Sequence, residues 1–292
     1  MDLSPALRDW LRPIVGEVEL VRPLTGGITS QMLRLRRMDG AADVVVRRWS
    51  GDDPEQPELV RREAEGLTAL AGTGLPLPSL LAADADGTAS GRPSSVTTFL
   101  PGAVDLAPTD LRTWVRRLAE MLVRIHATPA PTLGPCEEWD SSDLTWLDRS
   151  AADPGLARAA RAFAARAPDP ARAVLSHGDY QHFNVLWQAG TVSAVVDWPT
   201  VGLADRGLDV GHCRLNLAVL FSADAAMWFL DDYEQLAGTS VDPGPDLRRL
   251  LGFGTDWPRF IPLQVDGRAP VDGPGMAGRA RETIRRTLAR AD

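Results

Sequence analysis

The segment His177–Trp198, HGDYQHFNVLWQAGTVSAVVDW, constrains this chain more than any other. Two short apolar runs, VLW and VSAVV, are separated by the turn residues QAGT and read as a hairpin. Polar groups bracket it. Asp179 and Asn184 stand five residues apart where the chain enters, and Asp197 ends the strand by which it leaves. A carboxylate and an amide at the two ends of an apolar ribbon are hard oxygen ligands, the kind that Mg²⁺ takes. Asp179 is placed to accept a hydrogen bond from a hydroxyl group and then its proton.

The rest of the chain reads as a small β-rich part followed by a larger helical one. EVELVRPL, SQMLRLRRM and VVVRRWS suggest a three-stranded meander over residues 17–50, and PSLLAAD and PSSVTTFLPG suggest two more strands. Between them, DDPEQPELVRREAEGLTALAGTG starts on Asp and Pro and ends on Gly, as a helix does. Its apolar stripe is Val60, Ala64, Leu67 and Ala71, with Glu63 on the edge and Glu65 on the far side. An acid so placed needs a cationic partner. After Pro101-Gly102, Leu111, Trp114, Val115, Leu118, Met121, Leu122 and Ile125 recur at helical spacing, with Thr109 or Asp110 as the cap. Everything beyond residue 200 reads as helices with Pro/Gly breaks. These elements give an α+β expectation: a five-stranded antiparallel lobe with one helix over 1–100, and a mainly helical lobe over 101–292.

Composition narrows the function classes. The chain has 292 residues, 44% hydrophobic and 24% charged, which suits a globular protein with a sizeable core. A net charge of −8 argues against a dedicated nucleic-acid binder. No apolar run approaches the roughly 20 residues of a membrane span, and the first residues lack the apolar core of a signal peptide, so a cytoplasmic protein is expected. Cys136 and Cys213 carry no zinc or disulfide spacing. All 31 basic residues are arginine.

Taken together, D-x-x-x-x-N, the hairpin and the next aspartate suit phosphoryl transfer, in which a protein holds a nucleotide, neutralises phosphate charge and orients a hydroxyl. The quoted segment resembles the aminoglycoside phosphotransferase family of protein-kinase-like small-molecule phosphotransferases, which show H-G-D, a spacer, N-h-L and then h-h-D-W. PLTGGITSQMLRL resembles that family's nucleotide loop, VVVRRW its third strand, RREAEGLTAL its lobe helix and VTTFLPG its hinge. LAEMLVRIHA resembles the helix before the catalytic segment, and GLADRGLDVGHCRLNLA the segment after the metal ligand.

The resemblance implies a bilobal fold, ATP or GTP and Mg²⁺ as cofactors, and Asp179 as the catalytic aspartate. It also implies Asn184 and Asp197 as metal ligands, His177 as a structural residue of the loop, and Asp209 as either a brace of that loop or an N-cap. Arg47 takes the place of the third-strand lysine, with Glu63 as its partner and Arg48 as the alternative occupant; arginine differs from lysine in reach and geometry. Gly26, Gly27 and Ser30 belong to the phosphate loop, which lacks a full G-x-G-x-x-G, and Thr98, Phe99 and Leu100 to the nucleobase contact.

The implied acceptor is a small-molecule hydroxyl on an aminoglycoside or another sugar- or nucleoside-containing antibiotic, the protein being a monomer or homodimer. Choline, homoserine or ketosamine kinases share the same core and form the rival within enzymology. A non-catalytic nucleotide-binding protein is the rival of another class. The acidic clusters Glu137, Glu138, Asp140 and Asp231, Asp232, Glu234 either bind acceptor ammonium groups or form a solvated face. His126 and His212 read as helix or core histidines, and Trp187 and Trp198 as packing residues of the hairpin.

Overall fold

The computed structural model describes residues 3–24, 30–50, 53–130, 132–136, 145–148, 155–254 and 256–291. The chain divides into two compact units, Met1–Gly102 with Ser193–Thr200, and Ala103–Val192 with Val201–Asp292. The first unit therefore takes back a short piece of chain carrying Asp197.

Unit 1 opens with helix α1 (Pro5–Val15), an element the sequence reading did not assign; it gives this unit two helices where one was expected. Ser4 caps α1, its Oγ accepting the Leu7 amide at 3.3 Å, and Gly16 follows at φ 75°. Leu7, Leu11 and Val15 recur every four residues and are buried with Leu33, Leu35, Val44, Val46 and Val96. Strands β1 (Val18–Leu24), β2 (Ser30–Arg37) and β3 (Val44–Trp49) precede helix α2 (Gln56–Ala69), and β4 (Leu80–Asp84) and β5 (Ser94–Thr98) follow it. The sheet order is β1-β2-β3-β5-β4, antiparallel throughout.

All six residues of the central strand β3 are buried, which is why it reads as a nearly continuous apolar run broken by two arginines. Adjacent strand residues face opposite ways, so Arg47 and Arg48 serve different surroundings. In register, Arg47 lies opposite Met32 of β2 and Ser95 of β5. Helix α2 buries Val60, Glu63, Gly66 and Leu67, and Leu70 just past its end, while Ala71 is exposed. The inward face is thus rotated from the expected stripe and passes directly through Glu63.

Unit 2 contains α3 (Leu111–His126), capped by Asp110, whose carboxylate accepts the Thr113 amide at 3.0 Å. A short helix α4 (Thr145–Asp148) and α5 (Leu156–Ala164) lead to strand β6 (Ala173–Ser176). Strand β7 (Val185–Gln188) pairs with the adjoining β8 (Thr191–Val195), along which the chain passes into unit 1. A further strand, β9 (Gly202–Asp205), pairs antiparallel with β6 and aligns Gly202 with Ser176. It corrects the expectation of helices alone after residue 200; four residues of GLAD are too short to show alternation.

Helix α6 (Gly207–Leu220) follows at once, then α7 (Ala223–Ala237), α8 (Pro243–Leu250), α9 (Trp257–Val265) and α10 (Met276–Ala291). Every residue of α6 from Gly207 to Val219 is buried. A helix apolar all round except for a few polar groups belongs in a core, and those polar groups need partners there. Leu215 and Val219 of α6 pack with Leu247 and Leu250 of α8 and with Ala280 and Ile284 of α10.

Candidate active site

In unit 1 the polar centre is Arg47. Its Nε donates to Ser30 Oγ at 2.9 Å, and its NH1 donates to Glu63 Oε1 at 3.1 Å and to Asp197 Oδ1 at 2.5 Å. The guanidinium carbon lies 4.4 Å from the centroid of the Trp49 ring. Ser95 Oγ, from the paired strand, donates to the second Glu63 oxygen at 3.1 Å. Burial works against the Arg47 cation, but the Asp197 and Glu63 carboxylates outweigh it and raise its pKa above the ordinary arginine value. Burial raises the Glu63 carboxyl, with Arg47 opposing. Arg48, by contrast, donates to Ser90 O at 3.0 Å, so Arg47 is the arginine that meets the α2 acid.

Asp197 itself stands at φ 70°, a region that costs a non-glycine residue of order 1 kcal/mol and is concentrated at functional sites. Its side chain is 34% exposed. Trp198, next to it, is buried and donates Nε1–H to Val195 O at 2.9 Å, which ties down the end of the hairpin. Of the expected nucleobase segment, the Thr98 amide donates to Ser79 O and the Phe99 amide to Asp43 O, both at 3.0 Å. The Phe99 ring packs beneath the Arg34 guanidinium, 4.0 Å from its centroid, and Leu100 is half-buried. Gly26 and Gly27 lie outside the described residues.

In unit 2 the centre is Asp179. Gly178 before it adopts φ 84°, which glycine reaches without strain, and the resulting turn lets two successive amides point the same way. Those amides, His177 N–H and Gly178 N–H, donate to Asp209 at 2.7 and 2.8 Å. Asp209 also accepts from Ser176 Oγ at 2.8 Å, and His126 Nε2 lies 3.2 Å away. Burial pushes the Asp209 carboxyl up, but His126, His177 and Ser176 outweigh it and hold it at about 2. Asp209 is in the first turn of α6 and spends its acceptors on the loop, so it braces the loop and is not an N-cap. Tyr180 O–H, fully buried, donates to Leu118 O of α3 at 2.8 Å and holds the other side.

The loop thus fixed presents a carboxylate surrounded by N–H donors. Asn184 Nδ2 donates to Asp179 Oδ2 at 2.9 Å and to the Asp179 carbonyl at 2.8 Å, and Gln181 Nε2 donates to Oδ1 at 2.8 Å. His212 Nε2 lies 2.7 Å from the same Oδ1. Burial pushes the Asp179 carboxyl up, while His212, His177 and Asn184 outweigh it and hold its pKa below the ordinary aspartate value. His177 is buried, with its Nδ1 accepting the Asp179 amide at 3.3 Å.

Sequence reasoning missed Gln181, Ser95 and His212 as neighbours of these groups, and it took His212 for a core histidine. The signal for His212 was its place three residues after Asp209 on a helix, which sets both on one face.

The cluster Asp231, Asp232, Glu234 is used differently from the ammonium-binding expectation. Buried Asp232 is gripped by Arg112 and Arg116, Asp231 pairs with Arg290, and Glu234 accepts from Arg290 at 2.6 Å and from the Val241 amide at 2.9 Å. Arginines of this chain already occupy the carboxylates, so they are ion pairs of the fold. Glu137, Glu138 and Asp140 lie outside the described residues. Trp187 is buried and stacks on Trp114, with centroids 5.6 Å apart. Both cysteines are buried, and neither forms a disulfide among the described residues.

A profile of the phosphotransferase enzyme family matches residues 20–253, four-fifths of the chain and all of both clusters. The chain belongs to the phosphotransferase enzyme family. Solved structures carry the same protein-kinase-like fold. A thermostable mutant of aminoglycoside phosphotransferase APH(4)-Ia, in ternary complex with ADP and hygromycin B, aligns with a TM-score of 0.61 at 18% identity, over 97% of this chain and 98% of that one. Macrolide 2′-phosphotransferase MphH from Brachybacterium faecium gives 0.58 at 19% identity, over 95% and 98%. Among curated proteins, Acyl-CoA dehydrogenase family member 10 of Mus musculus is 24% identical over 192 residues. That match takes in 59% of this phosphotransferase-family chain but only 18% of the mouse protein.

Proposed function

We propose that this protein is a small-molecule kinase that moves the γ-phosphoryl group of ATP or GTP onto a hydroxyl of an antibiotic, as a monomer or homodimer in the cytoplasm. The sheet-bearing part, residues 1–100, holds the nucleotide, and residues 101–292 carry the catalytic aspartate and the acceptor site. The observation that carries this reading is the Asp179 carboxylate: half-buried with 15% of its side chain exposed, held ionised, and oriented by three side-chain donors in a loop that Asp209 locks. A solvated aspartate needs no such arrangement, and Asp179, unlike the fully buried brace Asp209, keeps part of its side chain exposed.

Asp179 then accepts the hydrogen bond of the acceptor hydroxyl and takes its proton as the oxygen attacks phosphorus. Arg47, kept cationic between two carboxylates, faces phosphate oxygens with the arms that Ser30, Glu63 and Asp197 leave in place. The Leu100 amide is the donor that meets the nucleobase edge, since the two preceding amides are bonded within the sheet.

The donor chemistry fits Mg²⁺, which takes few protein oxygens and keeps phosphate and water oxygens for the rest. Asn184 spends its Nδ2 on Asp179 and so offers Oδ1, and Asp197 keeps a third of its side chain exposed beyond the Arg47 contact. An ion held by these oxygens would supply positive charge to the transferring phosphate.

An antibiotic acceptor is supported by the hygromycin B bound to one structural relative and the macrolide activity of another. Modification would confer resistance by blocking the drug's fit to its target. Release of nucleoside diphosphate, measured with Mg²⁺, ATP or GTP and a panel of aminoglycosides, macrolides, nucleoside antibiotics, choline and homoserine, tests the reading. Acceptor-dependent release with an antibiotic supports it; release with choline or homoserine alone moves the protein to the metabolic kinases.

A further inference from the structure

The family's chemistry needs Asp179, Asn184 and Asp197, but α6 brings one more group to the carboxylate. His212 Nε2 is 2.7 Å from Asp179 Oδ1. A carboxylate can only accept, so this ring nitrogen carries a proton and donates it. His212 is only 5% exposed, and the turn after it is pinned by Asn216, whose Nδ2 donates to the His212 carbonyl at 3.0 Å.

Three residues earlier on the same helix, Asp209 accepts the two loop amides. One face of a fully buried helix therefore grips the loop twice, through its backbone by Asp209 and through its reacting side chain by His212. Gly211 between them lets that helix sit against α8, since a Cβ there would lie 2.4 Å from the Asp246 carbonyl oxygen.

We infer that His212 is a positioning residue for the phosphoryl-transfer step: it fixes Oδ1 of Asp179, so that Oδ2 is the oxygen that receives the acceptor hydroxyl. The inference rests on the reading of Asp179 as the base. Oδ1 takes two donors, His212 and Gln181, whereas Oδ2 takes one, Asn184. With room for about two acceptor directions per oxygen, Oδ1 is filled and Oδ2 keeps one direction open. Without His212, Oδ1 regains a vacant direction and the carboxylate is free to rotate out of line with the attacked phosphorus, a loss of orientation that costs turnover and not nucleotide affinity.

The test compares His212→Leu, His212→Gln and Asp179→Asn with the unaltered protein. The readouts are ATP and Mg²⁺ turnover with water, hygromycin B or erythromycin as acceptor, ATP affinity by calorimetry, and melting temperature. Gln places an amide N–H near the position of Nε2, and Leu fills the space without a donor. Expected is a fall in kcat of about 10-fold or more for His212→Leu with KM for ATP within about 2-fold, and recovery to within about 3-fold of the unaltered enzyme for His212→Gln. Equal loss in both variants, or unchanged kcat in His212→Leu, overturns the inference. If Asp179→Asn is inactive while His212→Leu is unimpaired, only this inference fails. If Asp179→Asn keeps its turnover, or the unaltered protein turns over none of the acceptors, the reading of the site fails and takes the inference with it.

Discussion

At the residue scale, the account turns on how a few buried polar groups find partners. Arg47 is a buried cation between two carboxylates, and removing one of them leaves charge uncompensated in a poorly solvated place. Glu63→Gln is therefore expected to destabilise the protein by about 3 kcal/mol, read as a lower midpoint in urea. Asp209 accepts two backbone amides of the loop, and Asp209→Asn, which puts an NH₂ group against those donors, is expected to cost about 3 kcal/mol and to lower turnover with it.

His182 is the opposite case. Both its ring nitrogens are buried with no hydrogen-bond partner among the described residues, amid Trp114, Phe183 and Phe221, and burial pushes its pKa down to about 3. The unfolded chain binds a proton near pH 6.5 that the folded chain refuses until about pH 3. Stability is therefore lost as pH falls through that window, by up to about 5 kcal/mol. His182→Leu is expected to flatten the decline in melting temperature between pH 6.5 and pH 4 without loss of stability at pH 8. A variant with the same acid sensitivity as the unaltered protein contradicts this.

At the element scale, what was legible followed period and punctuation. Strand β2 announced itself by alternation, β3 by its run of valines, and α3 by a seven-residue apolar stripe and an Asp cap. Helix α1 was equally legible, since Leu7, Leu11 and Val15 follow Ser4-Pro5 at four-residue spacing, with Leu3 just before the cap. Leu7→Ala, in a fully buried position, is expected to cost about 3 kcal/mol in urea unfolding, a result a merely peripheral helix does not give. Strand β9 was not legible: its four residues gain strand character only by pairing with β6, thirty residues away in sequence. The rotation of α2 that centres Glu63 was hidden for a related reason. A glutamate on a buried face breaks the apolar pattern by which that face is recognised.

At the scale of the whole molecule, the chain divides into two compact units, and the segment Ser193–Thr200 belongs with the first although it follows the loop of the second. Residue spacing exposed Asp179, Asn184 and Asp197 because chain connectivity ties them to one hairpin. It could not expose Ser95 as the partner of Glu63 or His212 as the neighbour of Asp179, because those contacts exist only after strand register and the placement of α6 are set. Likewise, the acidic cluster on α7 looked available until α3 and α10 brought arginines to it. No described helix is long and apolar enough to cross a membrane.

The central claim is that Asp179 is the base of phosphoryl transfer. Asp179→Asn is close to isosteric, and its amide retains an oxygen for His212 and Gln181 while lacking a carboxylate to take the proton. Single-turnover rates of phosphate transfer from ATP, measured beside ATP affinity, separate chemistry from binding. The account predicts a loss of about 10³-fold in the transfer rate with ATP affinity within a few-fold of the unaltered protein. A transfer rate within 10-fold of the unaltered enzyme, roughly 1.4 kcal/mol of barrier, would contradict it.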